Sequence, residues 1–133
     1  MHSEEIRSDG TIGAQNQTPY HGISGIQHPI RVSPDGSIVI LGSGLIFDAI
    51  DLTRIGSLSN NIDDAVWESN ALFTMRSIGN NKCQIQKWDV CANYKIVDAR
   101  QLSGIPIKMF PISNGVLVVS ELNGKTNLTT LEF

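Results

Sequence analysis

The sequence predicts an all-β chain, and three observations carry that expectation. Composition is the first: 17 Ile and 8 Val stand against 6 Ala, while Gly, Asn, Ser and Pro supply 40 of the 133 residues. β-Branched residues favour the pleated strand, and the other four types favour tight turns. The second is a signature used three times: an apolar stretch, a turn built from Asp, Asn, Ser or Gly, and another apolar stretch. The third is that the second stretch of each unit is apolar on successive residues. A strand reads that way when both of its faces are covered.

The first sixteen residues hold only Met1, Ile6, Ile12 and Ala14 as apolar members. They are expected to form a polar lead-in, with the folded domain over residues 17–133. Residues 20–26 have strand character. The first unit runs through 29–33, a Pro34-Asp35-Gly36 turn and 37–41, then continues into 45–51 and 53–58. Pro fixes φ and Gly accepts φ > 0, so the tripeptide closes a tight turn. Gly42-Ser43-Gly44 opens like a dinucleotide fingerprint, but Phe47 stands at the position of the last glycine and a strand follows. A fingerprint needs a helix N-terminus there, so a hairpin turn is the preferred reading.

The second unit runs through 64–67, a turn at Glu68-Ser69-Asn70 and 71–75, then 84–89 and 94–102. Alternation in Gln84-Ile85-Gln86-Lys87-Trp88 predicts a strand with one wet face. The third unit runs through 107–111, a turn at Ser113-Asn114-Gly115 and 116–119, then 126–133. The turn centres at 35, 69 and 114 lie 34 and 45 residues apart. A four-stranded unit of about forty residues, buried on both faces by its neighbours, is a propeller blade. The expected fold is all-β: a partial β-propeller of about three four-stranded antiparallel blades.

Family resemblance points the same way. The segment His28-Pro29-Ile30-Arg31-Val32-Ser33-Pro34-Asp35-Gly36-Ser37-Ile38-Val39-Ile40-Leu41 resembles the Ser-Pro-Asp-Gly blade signature of bacterial YVTN-type propellers. Lys87-Trp88-Asp89 is similar to the Trp-Asp ending of WD-repeat blades. The resemblance covers roughly residues 27–133 and implies a propeller fold with mixed binding and enzymatic roles. Only framework residues match, so it carries no catalytic residue across. Closed propellers use about four to eight blades. Three units therefore imply a fragment of a longer propeller, or a chain that self-associates through open blade edges, for example as a dimer completing a six-blade ring.

Chemical motifs are sparse. Ten Lys+Arg against thirteen Asp+Glu give a net charge of −3, with no basic excess for a phosphate backbone, so no nucleic acid is expected. No apolar run nears the roughly 18 residues of a membrane span, and Ile38-Val39-Ile40-Leu41, a strand core, stops at Gly42. The start, Met1-His2-Ser3-Glu4-Glu5-Ile6-Arg7, lacks the apolar core of a signal peptide. A cytoplasmic setting is expected unless an export signal lies on a piece outside this sequence. Cys83 and Cys91 would sit about 26 Å apart along one strand, and a turn at 89–93 places Cys91 in the turn, so no bridge is expected. Asn16-Gln17-Thr18 and Asn127-Leu128-Thr129 match the glycosylation triplet, a pattern short enough to arise by chance.

His21 and His28 are seven apart and no C-x-x-C occurs, so no metal set is assigned. His28 is placed at the start of an inner strand, where a structural role is preferred to that of a ligand or base. Asp63-Asp64 is read as a loop turn rather than a hard-cation site. The cations Arg31, Arg54, Arg76, Lys87, Arg100 and Lys108 are spread one or two per unit and read as solvated surface. Trp67, Trp88, Phe47, Phe73, Phe110 and Phe133 read as packing between blades, with Trp88 alone also fitting a sugar platform. No catalytic, cofactor or metal residue is assigned, and no cofactor is expected. The functional expectation is a non-catalytic binding or structural scaffold. A protein or small ligand would meet the loop face formed by 26–28, 43–44, 61–64, 79–82, 103–104 and 121–125. The alternative is a fragment or subunit of a propeller enzyme, a lyase, hydrolase or quinoprotein-like chain, by fold analogy.

Overall fold

Each of the three turn-centred units forms an antiparallel meander. The structure, a computed structural model, describes residues 2–20 and 24–133. A hairpin of β1 (His2–Ile6) and β2 (Ile12–Gln17) comes first. Sheet 1 follows in the order β3 (Ile30–Val32), β4 (Ile38–Leu41), β5 (Leu45–Asp48) and β6 (Arg54–Ser57). Sheet 2 comprises β7 (Asp64–Glu68), β8 (Ala71–Gly79), β9 (Lys82–Asp89) and β10 (Lys95–Ser103). Sheet 3 comprises β11 (Ile105–Ile112), β12 (Gly115–Leu122) and β13 (Lys125–Glu132). The fold is all-β, with four antiparallel sheets of two to four strands, none of them closed. No helix occurs among the described residues, so none is long and apolar enough to cross a membrane.

The turns work as their residues predict. Asp35 accepts the Ser33 hydroxyl at 2.5 Å, the Ser37 hydroxyl at 2.8 Å and the Ser37 N–H at 3.1 Å, while Ser33 Oγ accepts the Ile38 N–H. The β3–β4 turn is thus stapled by its own side chains. Gly42 carries the closest approach in sheet 1: a Cβ there would lie 1.9 Å from the His28 carbonyl oxygen. The segment Gly42-Ser43-Gly44 is the β4–β5 hairpin turn and leads into a strand, as expected.

Packing explains the apolar second strands. Ile40 and Ile46 of sheet 1 meet Leu72 and Trp88 of sheet 2, with Leu58, Ile62 and Ala65 between them. Phe73, Met75, Cys83 and Ile85, on the opposite face of sheet 2, meet Met109, Val116 and Val118 of sheet 3. Sheet 2 is therefore covered on both sides, which is why β8 is buried over four successive residues. A third cluster, Val39, Leu41 and Phe47, occupies the other face of sheet 1.

Several expectations need correction. Residues 2–17 include a hairpin that composition did not reveal: its two strands are mostly polar, and Ile6 and Ile12, paired across it, are exposed. The hairpin's distal strand and the residue beyond it reach sheet 1 through Asn16 Nδ2 donating to the Ile50 carbonyl and Thr18 Oγ1 to that of Leu52. Of the expected strand at 20–26, residues 21–23 lie outside the described residues, and Tyr20 and Ser24–Ile26 are not in strand. The alternating strand β9 has no wet face: Cys83, Ile85, Gln86 and Trp88 are all buried. Phe110, expected in packing, is 48% exposed on the face of sheet 3 turned away from sheet 2. Cys83 and Cys91 are free, the first buried and the second exposed in the β9–β10 turn.

Candidate functional site

Strands β3, β7 and β11, the first strands of sheets 1, 2 and 3, contribute to one polar cluster. Asp64, the first residue of β7, is fully buried. Its Oδ1 accepts Arg31 Nε of β3 at 2.6 Å, and its Oδ2 accepts the Met109 N–H of β11 at 2.7 Å. Lys108 Nζ, also on β11, lies 3.2 Å from both oxygens. The Arg31 and Lys108 side chains remain about a third exposed, at 30% and 36%. One carboxylate thus joins three strands that share no hydrogen-bonded ladder. Burying it unpaired would cost several kcal/mol, so these contacts are what permits it. With donors from Arg31, Lys108 and Met109 on its two oxygens, Asp64 ties sheets 1, 2 and 3 together. The cluster leaves one cationic charge in excess on its open side.

A second buried polar chain runs through sheet 2. Trp88 Nε1 donates to Thr74 Oγ1 at 2.8 Å, Thr74 Oγ1 donates to Gln86 Oε1 at 3.3 Å, and Gln86 Nε2 donates to Asn60 Oδ1 at 2.9 Å. Trp88 is 1% exposed, which removes the sugar-platform reading. Its indole is a packed core group with its one donor satisfied.

Two open grooves flank the β7–β8 turn. One, of about 420 Å³, lies between sheets 1 and 2 and is lined by Asp35, Ile38, Trp67, Asn70 and Cys91 among others. The other, of about 400 Å³, lies between sheets 2 and 3, with Asn70, Phe73, Lys87, Asp89 and Phe133 in its walls. Phe73 and Phe133 meet edge to face at 5.0 Å, and Lys87 stands 5.7 Å from the Phe73 ring centre. Hydrogen bonds from Ser33 first, then Ser37, hold the Asp35 carboxyl down at about 2, so the rim of the first groove stays anionic at neutral pH. Burial pushes the Cys83 thiol up, away from thiolate chemistry.

Both grooves sit at the end of the sheets opposite the loop face expected to meet a ligand. On that loop face a shallower space of about 370 Å³ lies beside the β12–β13 turn, against Leu122, Asn123 and Lys125. His28 is exposed in the bend before β3, joined to Pro29 by a cis peptide, and His21 lies outside the described residues. Asp63 accepts the Ser77 N–H. Asp64 stands in β7 rather than in a turn, and no cluster of three or more His, Cys, Asp or Glu exists among the described residues. The tie that sequence reasoning missed has a signal in the repeat: Asp64 lies 33 residues from Arg31 and 45 from Met109, close to the 34 and 45 between turn centres. No protein family, curated protein or solved structure matches the chain.

Proposed function

We propose that the three stacked sheets are blades of a partial propeller, and that the chain is a non-catalytic scaffold. It binds a protein or small ligand in the grooves beside the β7–β8 turn and associates with further copies through its open end. The observation that carries this reading is the convergence of β3, β7 and β11 on Asp64. Inner strands that share one hub while their sheets stack face to face are the arrangement a blade array requires. Binding is assigned to the turn end because both grooves there combine an aromatic wall with ionised rims. Self-association is supported by the free face of sheet 3, where Ile105, Ile107, Phe110 and Leu128 are each close to half exposed or more.

Cys91 provides the test, because it is an exposed thiol in the groove wall while Cys83 is buried. A fluorophore placed on Cys91 is expected to report binding in a screen of small polar and aromatic compounds, each recovered chemically unchanged. The Trp67→Ala variant, which removes the aromatic wall, should weaken that response at least about tenfold. Ligands that leave the Cys91 probe silent, or that are recovered as reaction products, would overturn the reading.

A further inference from the structure

We infer that the groove between sheets 1 and 2 takes a small organic amine, with its ammonium at Asp35 and its apolar or aromatic body on Trp67. The inference rests on the groove-binding reading above and names the ligand class. Every wall of this groove comes from residues between Ser33 and Cys91. Its floor is apolar: Ile38, Trp67 and Val90 pack onto the core between the two sheets while staying partly exposed. Asp35 is the only charged residue in its walls among the described residues. The neighbouring groove differs in carrying both signs, Glu68 and Asp89 with Lys87. A volume of about 420 Å³ falls within the roughly 300–1,000 Å³ of small-molecule sites. An apolar floor with one fixed anion at its rim is complementary to an amphipathic cation.

The β3–β4 turn sets what Asp35 can still accept. Its Oδ1 takes the Ser33 hydroxyl and the Ser37 N–H, whereas Oδ2 takes the Ser37 hydroxyl alone. An ionised carboxylate offers about four acceptor positions, two on each oxygen. The open position is therefore on Oδ2. A guanidinium fork seeks both oxygens and finds Oδ1 filled. An ammonium is a compact charge with rotatable N–H donors and needs a single acceptor. The serine bonds also hold the carboxyl ionised at neutral pH and fix its orientation, so little freedom is lost when a ligand arrives. Trp67 then supplies a flat apolar surface for the rest of the amine.

Nuclear magnetic resonance titration of the full chain tests this, comparing 2-phenylethylamine with 2-phenylethanol and phenylacetate, its neutral and anionic analogues. The chain has two tryptophans, Trp67 in the groove wall and Trp88 in the core. The indole N–H signal of Trp67 should move on titration while that of Trp88 stays in place. The amine is expected to bind at least about fivefold more tightly than the alcohol, and the acid more weakly than either. Asp35→Asn keeps an oxygen acceptor for the turn but removes the charge, and should bring the amine down to the affinity of the alcohol. Asn70→Lys adds a cation to the same wall at an exposed position. It should also erase the preference, and it guards against an Asp35→Asn chain whose turn fails to form. Equal binding of all three compounds at Trp67 would overturn the amine assignment and leave groove binding standing. Tighter binding of Nα-acetyl-lysine amide than of 2-phenylethylamine would make the occupant a protein lysine, and would overturn the small amine. If none of these compounds moves the Trp67 signal although others are detected by the Cys91 probe, the ligand class is wrong. Silence towards every compound in both experiments would overturn the groove reading as well.

Discussion

Asp35 shows how much one side chain can organise. Its carboxylate holds the hydroxyls of Ser33 and Ser37 and a backbone N–H, and this holds its acidity at about 2 against an ordinary 3.8. Asp9 and Asp51 repeat the device on a smaller scale, each lowered by the hydroxyl of the Thr two residues on. A carboxyl more acidic when folded than unfolded stabilises the fold fully above the unfolded value, and that stabilisation fades as pH falls through the folded one. The urea midpoint should therefore drop between about pH 4 and pH 2. The drop should be smaller in Asp35→Asn, which has lost the titrating group. Equal drops in the two proteins would mean that the turn does not sense its charge.

At the scale of elements, register and close approach decide which residues are tolerated. Sheet 1 depends on the chain before β3 lying directly against the β4–β5 turn, where the Gly42 N–H reaches the Gln27 carbonyl at 2.8 Å. The contact leaves no room for a Cβ at Gly42, and its obstacle is backbone rather than a mobile side-chain tip. Gly42→Ala is expected to destabilise the chain by about 1–3 kcal/mol, the usual cost of overpacking. The urea midpoint measures it, and an unchanged midpoint would show that the approach is not tight. Gly36→Ala meets open space but sits at φ +74, so its smaller cost, about 1 kcal/mol, would come from backbone strain alone.

For the whole molecule, Asp64 determines whether the sheets act as one unit. The apolar clusters hold sheets together in pairs, sheet 1 on sheet 2 and sheet 2 on sheet 3. The Asp64 cluster touches β3, β7 and β11 at once. Asp64→Ala leaves two cations facing each other without a counter-charge, although their partial exposure lets water offset some of that. A loss of about 3 kcal/mol is expected. Amide exchange should show protection falling in β3 and β11 together, far along the chain from the substitution. A change confined to β7 would mean that the sheets are coupled through apolar packing alone.

Local chemistry determined the strands themselves. Pro34-Asp35-Gly36, Ser69-Asn70 and Ser113-Asn114 have turn conformations that few other residue types adopt so readily, and the apolar runs between them can satisfy their backbones only by pairing. For that reason the core strands of sheets 1 to 3 were legible in number of turns and in order, and the two-sided burial of β8 with them, whereas β12 is covered on one face only. Only tertiary structure decided the rest. Gln86 and Trp88 read as members of a half-wet strand because alternation reports polarity, and a polar residue can be buried when Thr74 and Asn60 satisfy it. Asp64 read as a loop residue because its partners lie 33 and 44 positions away. The hairpin of β1 and β2 escaped notice because its strands bury almost nothing, so hydrophobic patterning left no trace of them. Periodicity records what an element does with its own neighbours in the chain. Which charge meets which across three sheets is set by how those sheets stack.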